Sequence, residues 1–140
     1  MPTCKAIWTD GVRYLHTSET GHALVTDAPE TVGGGNSAPT PMELVLHALA
    51  GCTGVDLALI LDKMRQPYTA LEITVTGERA DSHPKVYTAV HLHVTARGEI
   101  SPKKLERALK LSVEDFCSVA AMLRSTATLT YTGEVQGEQS

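Results

Sequence analysis

The chain has 140 residues, of which 42% are hydrophobic and 4% aromatic, enough for one domain with an aliphatic core and too few for a multidomain assembly. A formal charge of -4, with no run of five like charges, argues against nucleic acid or an anionic membrane surface as partner. The start, Met1-Pro2-Thr3-Cys4-Lys5, has no hydrophobic signal region, and Asp56, Asp62 and Lys63 are expected to interrupt the apolar stretches short of a membrane span, so the expected location is the cytoplasm.

The first segment reads as a meander of three strands. Residues 4 to 9 alternate, Asp10-Gly11 supplies a hairpin turn, Val12 to Thr17 follows, and Thr20-Gly21 leads into His22 to Asp27. Residues 28 to 39 are rich in Pro, Gly and small polar side chains around Gly33-Gly34-Gly35, and a flexible surface loop is expected there. It is not a phosphate loop, because Asn36-Ser37-Ala38 stands where that motif needs Gly-Lys followed by Ser or Thr.

Thr40-Pro41-Met42-Glu43 is a helix start: Thr40 caps, Pro41 sits where a missing N–H costs nothing, and Glu43 reaches back to the cap. The helix should run to Arg65, before Gln66-Pro67, a rod of about 35 Å. Its Val and Leu side chains point all round, so it should be buried on most faces. A domain of this size can hardly cover such a rod alone, and a homodimer is the expected state.

Leu71 to Arg79 and Val86 to Arg97 alternate as two half-buried strands joined through Asp81-Ser82-His83-Pro84. Ser101-Pro102 opens a helix whose apolar stripe is Leu105, Ala108, Leu109, Ser112 and Phe116, with Cys117 just beyond it and a further helical turn or two over Ser118 to Arg124. A strand from Thr126 to Gln136 closes the domain, and residues 137 to 140 should fray. The order βββ-α-ββ-α-α-β is an α+β layout, with helices gathered on a mostly antiparallel sheet in a single domain over 1–140.

Three cysteines at spacings of 48 and 65 make no closed disulfide set and no CxxC pair. Cys52 lies in the small-residue run Ala48 to Gly54, where it can be a packed core thiol or a reactive one. Asp56, one turn on, would oppose its ionisation. Contact between Cys52 and Cys117 would let one thiol attack and the other resolve the product as a disulfide. Cys4 reads as a bystander. His91 and His93 share one strand face, but no nearby Cys or carboxylate completes a ligand set, so no metal site is expected. Glu43 and His47 read as a capping and helix-surface pair.

Ala38-Pro39-Thr40-Pro41-Met42-Glu43-Leu44 leading to Gly51-Cys52, together with Phe116-Cys117-Ser118-Val119-Ala120, resembles the OsmC/Ohr family of osmotically inducible and organic hydroperoxide resistance proteins. The resemblance covers residues 4 to 136. It is strongest to the YhfA-like branch, through Gly51-Cys52-Thr53-Gly54-Val55-Asp56, Lys63-Met64-Arg65-Gln66 and the Cys117-Ser118-Val119 turn.

The resemblance implies an OsmC-like fold, an intertwined homodimer with a long central helix, and thiol-dependent reduction of organic hydroperoxides in oxidative or osmotic stress defence. Cys52 would attack, Cys117 would resolve through a disulfide, and an external thiol would reduce the product, with no metal or organic cofactor. The family's peroxidases also pair a carboxylate ten residues before the first cysteine with an arginine of the N-terminal strands. Here that position is Met42, with Glu43 one residue later on the opposite side of an ideal helix from Cys52. Arg13 is the only arginine of the N-terminal strands, and Arg79 is a second partner to consider. The departure leaves an alternative: a non-enzymatic dimer that binds an apolar small molecule, with the cysteines as cavity lining.

Overall fold

In the computed structural model, which describes residues 1–137, the chain's contacts gather into two units, 1–45 and 46–140. The first unit is a meander of three antiparallel strands in the order β1 (Cys4–Asp10), β2 (Arg13–Ser18), β3 (Ala23–Thr26). Asp10 pairs with Arg13 across the two-residue loop Gly11-Val12, so the hairpin turn falls one residue later than the sequence suggests. Gly11, at φ 55°, supplies the left-handed conformation such a loop favours.

The Gly/Pro-rich stretch after β3 wraps round one carboxylate. Asp27 is 2% exposed and accepts hydrogen bonds from the backbone N–H of Ala28 (2.8 Å), Gly35 (3.2 Å) and Ser37 (3.0 Å), and from the Ser37 hydroxyl (2.6 Å). These donors hold its carboxyl far below the ordinary value, the Ser37 hydroxyl most of all. A short 3₁₀ turn, Glu30–Val32, lies within the stretch.

Helix α1 (Pro41–Lys63) begins with the expected reciprocal cap: the Glu43 N–H donates to Thr40 Oγ1 (3.1 Å), and the Thr40 N–H donates to the Glu43 carboxylate (3.4 Å). It ends two residues before the expected Arg65. Arg65 takes a left-handed conformation (φ 57°), the Gln66 N–H reaches back to Leu61 O (2.9 Å), and the Arg65 N–H reaches Asp62 O (3.0 Å), a Schellman closure with arginine where glycine is usual.

Within the single chain, burial along α1 is confined to one face, so the expected enclosure on most faces would require the second copy. Leu49, Thr53, Leu57 and Leu61 form one buried stripe at four-residue spacing, whereas Val55 and Leu59 are 61% and 57% exposed in the single chain. The expected interruption of its apolar run is also weaker than foreseen. Residues 44–61 carry Asp56 as their one charge, and α1 is, among the described residues, the one helix long and apolar enough to cross a membrane. A core helix satisfies the same measure, and Leu57 and Leu61 are packed into the core of the second unit.

That core lies between α1 and a second three-stranded sheet, order β4 (Tyr68–Arg79), β5 (Tyr87–Gly98), β6 (Thr128–Gln136). The expected alternation holds on β5, where Val90, Leu92, Val94 and Ala96 are buried. β4 pairs antiparallel with β5, while β6 pairs parallel with it, because the segment between them is a helical crossover. Three of the four strand pairings are therefore antiparallel, divided between two sheets.

The crossover starts with α2 (Pro102–Lys110), whose Leu105, Ala108 and Leu109 join the core. The sequence reading extends the apolar stripe to Phe116, but Phe116 is 61% exposed. Residues Leu111–Phe116 form a π turn, closed by the Cys117 N–H on Ser112 O (2.7 Å). The wider i→i+5 turn moves Phe116 off the buried face and places Cys117 on it, 2% exposed. The short helix α3 (Ser118–Leu123) follows. The fraying expected at 137–140 lies, beyond Gly137, outside the described residues.

Candidate functional site

The π turn brings Cys117 to the middle of α1. Cys52 Sγ, Cys117 Sγ and a carboxylate oxygen of Asp56 all lie within 4.8 Å of one another, with Cys52 and Asp56 half-buried and Cys117 buried. Cys52 and Asp56 share a helix face because they are four residues apart. Cys117 arrives from 65 residues away in sequence, and both thiols are free.

Asp56 and Cys117 each accept a hydrogen bond from a neighbour. Ser112, fully buried on the π turn, donates its hydroxyl to Asp56 Oδ2 (2.8 Å). The Ala120 N–H of α3 donates to Cys117 Sγ (3.4 Å). Burial pushes the Cys117 thiol up from its ordinary pKa, and interaction with Cys52 pushes it further. The Ala120 N–H and the adjacent Thr53 hydroxyl act in the opposite direction. Thr53 Oγ1 nonetheless has no hydrogen bond of acceptable geometry among the described residues, so its influence on Cys117 is one of proximity.

Arg13 and Glu43 belong to the first unit and are engaged there. The Arg13 guanidinium binds both oxygens of Asp10 (2.8 and 3.0 Å), donates to Ser37 Oγ (2.9 Å), and lies 3.6 Å from Asp27 Oδ2. Glu43 serves the reciprocal cap with Thr40. The geometry thus joins Cys52 to Cys117, while Arg13 pairs with Asp10 and Asp27, and Glu43 closes a helix end. Arg79 donates to the Lys85 carbonyl (2.8 Å) across its own hairpin.

His91 and His93 lie along a ladder of hydroxyls rather than round a common point. His91 meets Thr130 (2.6 Å) and Thr132 (3.0 Å), and His93 meets Thr132 (2.6 Å) and, at 3.5 Å, Glu134. Two residues gain roles that the sequence reading did not give them: Ser112, read as part of a core stripe, and Asp56, read only as an obstacle to ionising Cys52. The Cys52-x-x-x-Asp56 spacing was the available signal. The approach of Ser112 required the π turn.

Comparison with known proteins agrees with this architecture. The family described as OsmC-like protein matches residues 34–132. Protein YhfA of Escherichia coli K12 is 36% identical over 129 residues, covering 91% of this chain and 93% of its own length. The crystal structure of a hypothetical protein from Aquifex aeolicus superposes with a TM-score of 0.87 at 31% identity, covering 99% of this chain and 98% of that one. An organic hydroperoxide resistance protein OsmC from Legionella pneumophila shares the fold at a TM-score of 0.75 and 18% identity, covering 96% and 97% of the two chains. The chain belongs to the OsmC-like protein family.

Proposed function

We propose that the chain reduces organic hydroperoxides with its two facing thiols, as part of cytoplasmic defence against peroxide stress. The observation that carries this reading is the approach of Cys52 and Cys117 within 4.8 Å across 65 residues of sequence. A shared fold with an organic hydroperoxide resistance protein supports it. Burial supports these roles: Cys52 is half-buried and can meet a substrate, whereas Cys117 is buried, which pushes its thiol up.

The thiolate of Cys52 attacks the terminal oxygen of the hydroperoxide. The O–O bond breaks, the alcohol leaves with a proton, and Cys52 becomes a sulfenic acid. Cys117 sulfur attacks Cys52 sulfur, its proton leaves with the hydroxyl as water, and a disulfide forms. An external dithiol returns both cysteines to thiols and takes up the oxidation. No organic cofactor is required by these steps. The exposed apolar face of α1 at Val55 and Leu59 is assigned to a second copy of the chain, forming a homodimer.

Reduced protein mixed with an organic hydroperoxide and a dithiol should consume peroxide. Cys52→Ser should fall to the uncatalysed rate, and Cys117→Ser should stall as a trappable sulfenic acid. Consumption unchanged in Cys52→Ser would falsify the reading. The engagement of Arg13 by Asp10 and Asp27 favours a second one, in which the dimer binds an apolar small molecule and the cysteines line its cavity. Native mass spectrometry of gently purified protein separates the two: a retained small molecule with no peroxide turnover favours the second.

A further inference from the structure

We propose that the reduced protein binds a zinc-type divalent cation between the sulfurs of Cys52 and Cys117 and the carboxylate of Asp56. Four observations carry it. The three ligand atoms already lie within 4.8 Å of one another. A tetrahedral zinc site, with bonds of about 2.3 Å to sulfur and about 2.0–2.2 Å to oxygen, sets such atoms about 3.5–3.8 Å apart. Closing onto the ion therefore asks at most for a shift of little more than an ångström.

The outer contacts suit ligands rather than idle side chains. Ser112 orients the Asp56 carboxylate, and the Ala120 N–H bonds the Cys117 sulfur, as outer hydrogen bonds fix metal ligands elsewhere. Thr53 Oγ1 is buried beside Cys117 and, among the described residues, has no hydrogen-bond partner. Finally, Asp56 forms no ion pair among the described residues. A divalent cation would make one ligand set of that carboxylate and the two sulfurs.

Two sulfurs and one carboxylate select a borderline-soft ion over magnesium or calcium, and the half-exposed Cys52 and Asp56 leave a fourth position for water. Binding releases the two thiol protons to solvent and moves no electrons. A Cys52–Cys117 disulfide would remove two ligands, so the cation and an oxidant compete for the same sulfurs. The proposal requires only reduced thiols and stands apart from peroxide turnover.

The test is anaerobic titration of reduced, chelator-treated full-length protein with Co²⁺. Expected are thiolate-to-cobalt charge-transfer absorption and the strong visible bands of a four-coordinate site, at a single ion per chain, bleached by Zn²⁺. Asp56→Asn should weaken binding by at least about tenfold. Cys117→Ser should lose a large part of the charge-transfer band, Cys4→Ser should leave it unchanged, and disulfide-oxidised protein should not bind. Far-ultraviolet circular dichroism checks that each variant is folded. Absence of these bands, a six-coordinate spectrum, or bands that persist in both folded Asp56→Asn and Cys117→Ser overturns the proposal. Peroxide consumption by the metal-free protein reports separately on the thiol chemistry.

Discussion

Ser112 and Asp56 are 56 residues apart in sequence, yet the Ser112 hydroxyl donates to the Asp56 carboxylate at 2.8 Å and ties the π turn to α1 beside both thiols. Ser112 is fully buried, so Ser112→Ala removes the donor and leaves a half-buried carboxylate short of its partner. A loss of about 1–3 kcal/mol in unfolding free energy is expected by urea titration. Asp56→Asn, which retains an acceptor oxygen, should cost less. Equal losses in the two variants would show that the carboxylate charge, rather than the hydroxyl donor, sets the strength of this link.

The two faces of α1 should respond differently to truncation. Leu57 is fully buried in the core with Val94, Leu105 and Leu109, and Leu57→Ala should cost about 2–5 kcal/mol. Leu59 is 57% exposed in the single chain, and Leu59→Lys should leave the protomer folded while weakening self-association. Light scattering coupled to size exclusion reads the second effect. An unchanged dimer, or a monomer already in the parent protein, would remove this face from the proposed interface.

Gly98 closes β5 at φ 123°, and a Cβ there would stand 2.3 Å from Pro67 O and 3.0 Å from Tyr68 Cα. The obstruction is backbone on the neighbouring strand, which cannot rotate aside. Gly98→Ala therefore combines an unfavourable φ with a clash at the start of β4, and a loss of at least about 1–3 kcal/mol is expected by thermal or urea unfolding. At Gly133 the obstruction is the side-chain ends of Leu109, at 2.8 Å, and Leu105, at 3.2 Å, core side chains rather than backbone, so Gly133→Ala should be milder.

Asp27 gives the first unit an acid dependence. Its folded carboxyl lies far below the ordinary 3.8, first because of the Ser37 hydroxyl and then because of backbone donors. A depressed folded value means that its contribution to stability is fully present above the unfolded value and fades as pH falls from there through the folded value. Asp27→Asn should therefore lower stability at neutral pH and flatten the pH dependence below about 4, where the parent protein is expected to lose stability. Parallel curves for the two proteins between neutral pH and pH 3 would contradict this assignment.

Sequence alone determined the local features, because each is set by neighbours along the chain. The Thr40–Glu43 cap, the period-two burial of β5 and the stripe through Leu105, Ala108 and Leu109 all follow from spacing and side-chain type. The family was legible in the segments around Cys52 and Cys117. Tertiary structure decided the rest. The π turn that exposes Phe116 and buries Cys117 is a one-residue change in helical winding that apolar spacing does not encode. Parallel pairing of β6 with β5 follows from the crossover, and the division of strands into two sheets from contacts distant in sequence. The approach of Arg13 to Asp27 depended on how residues 28–39 wrap a carboxylate, and the meeting of Cys52, Asp56 and Cys117 on packing across 65 residues of chain. Periodicity fixes which face of an element is apolar. Only the packed structure fixes which polar side chains then meet.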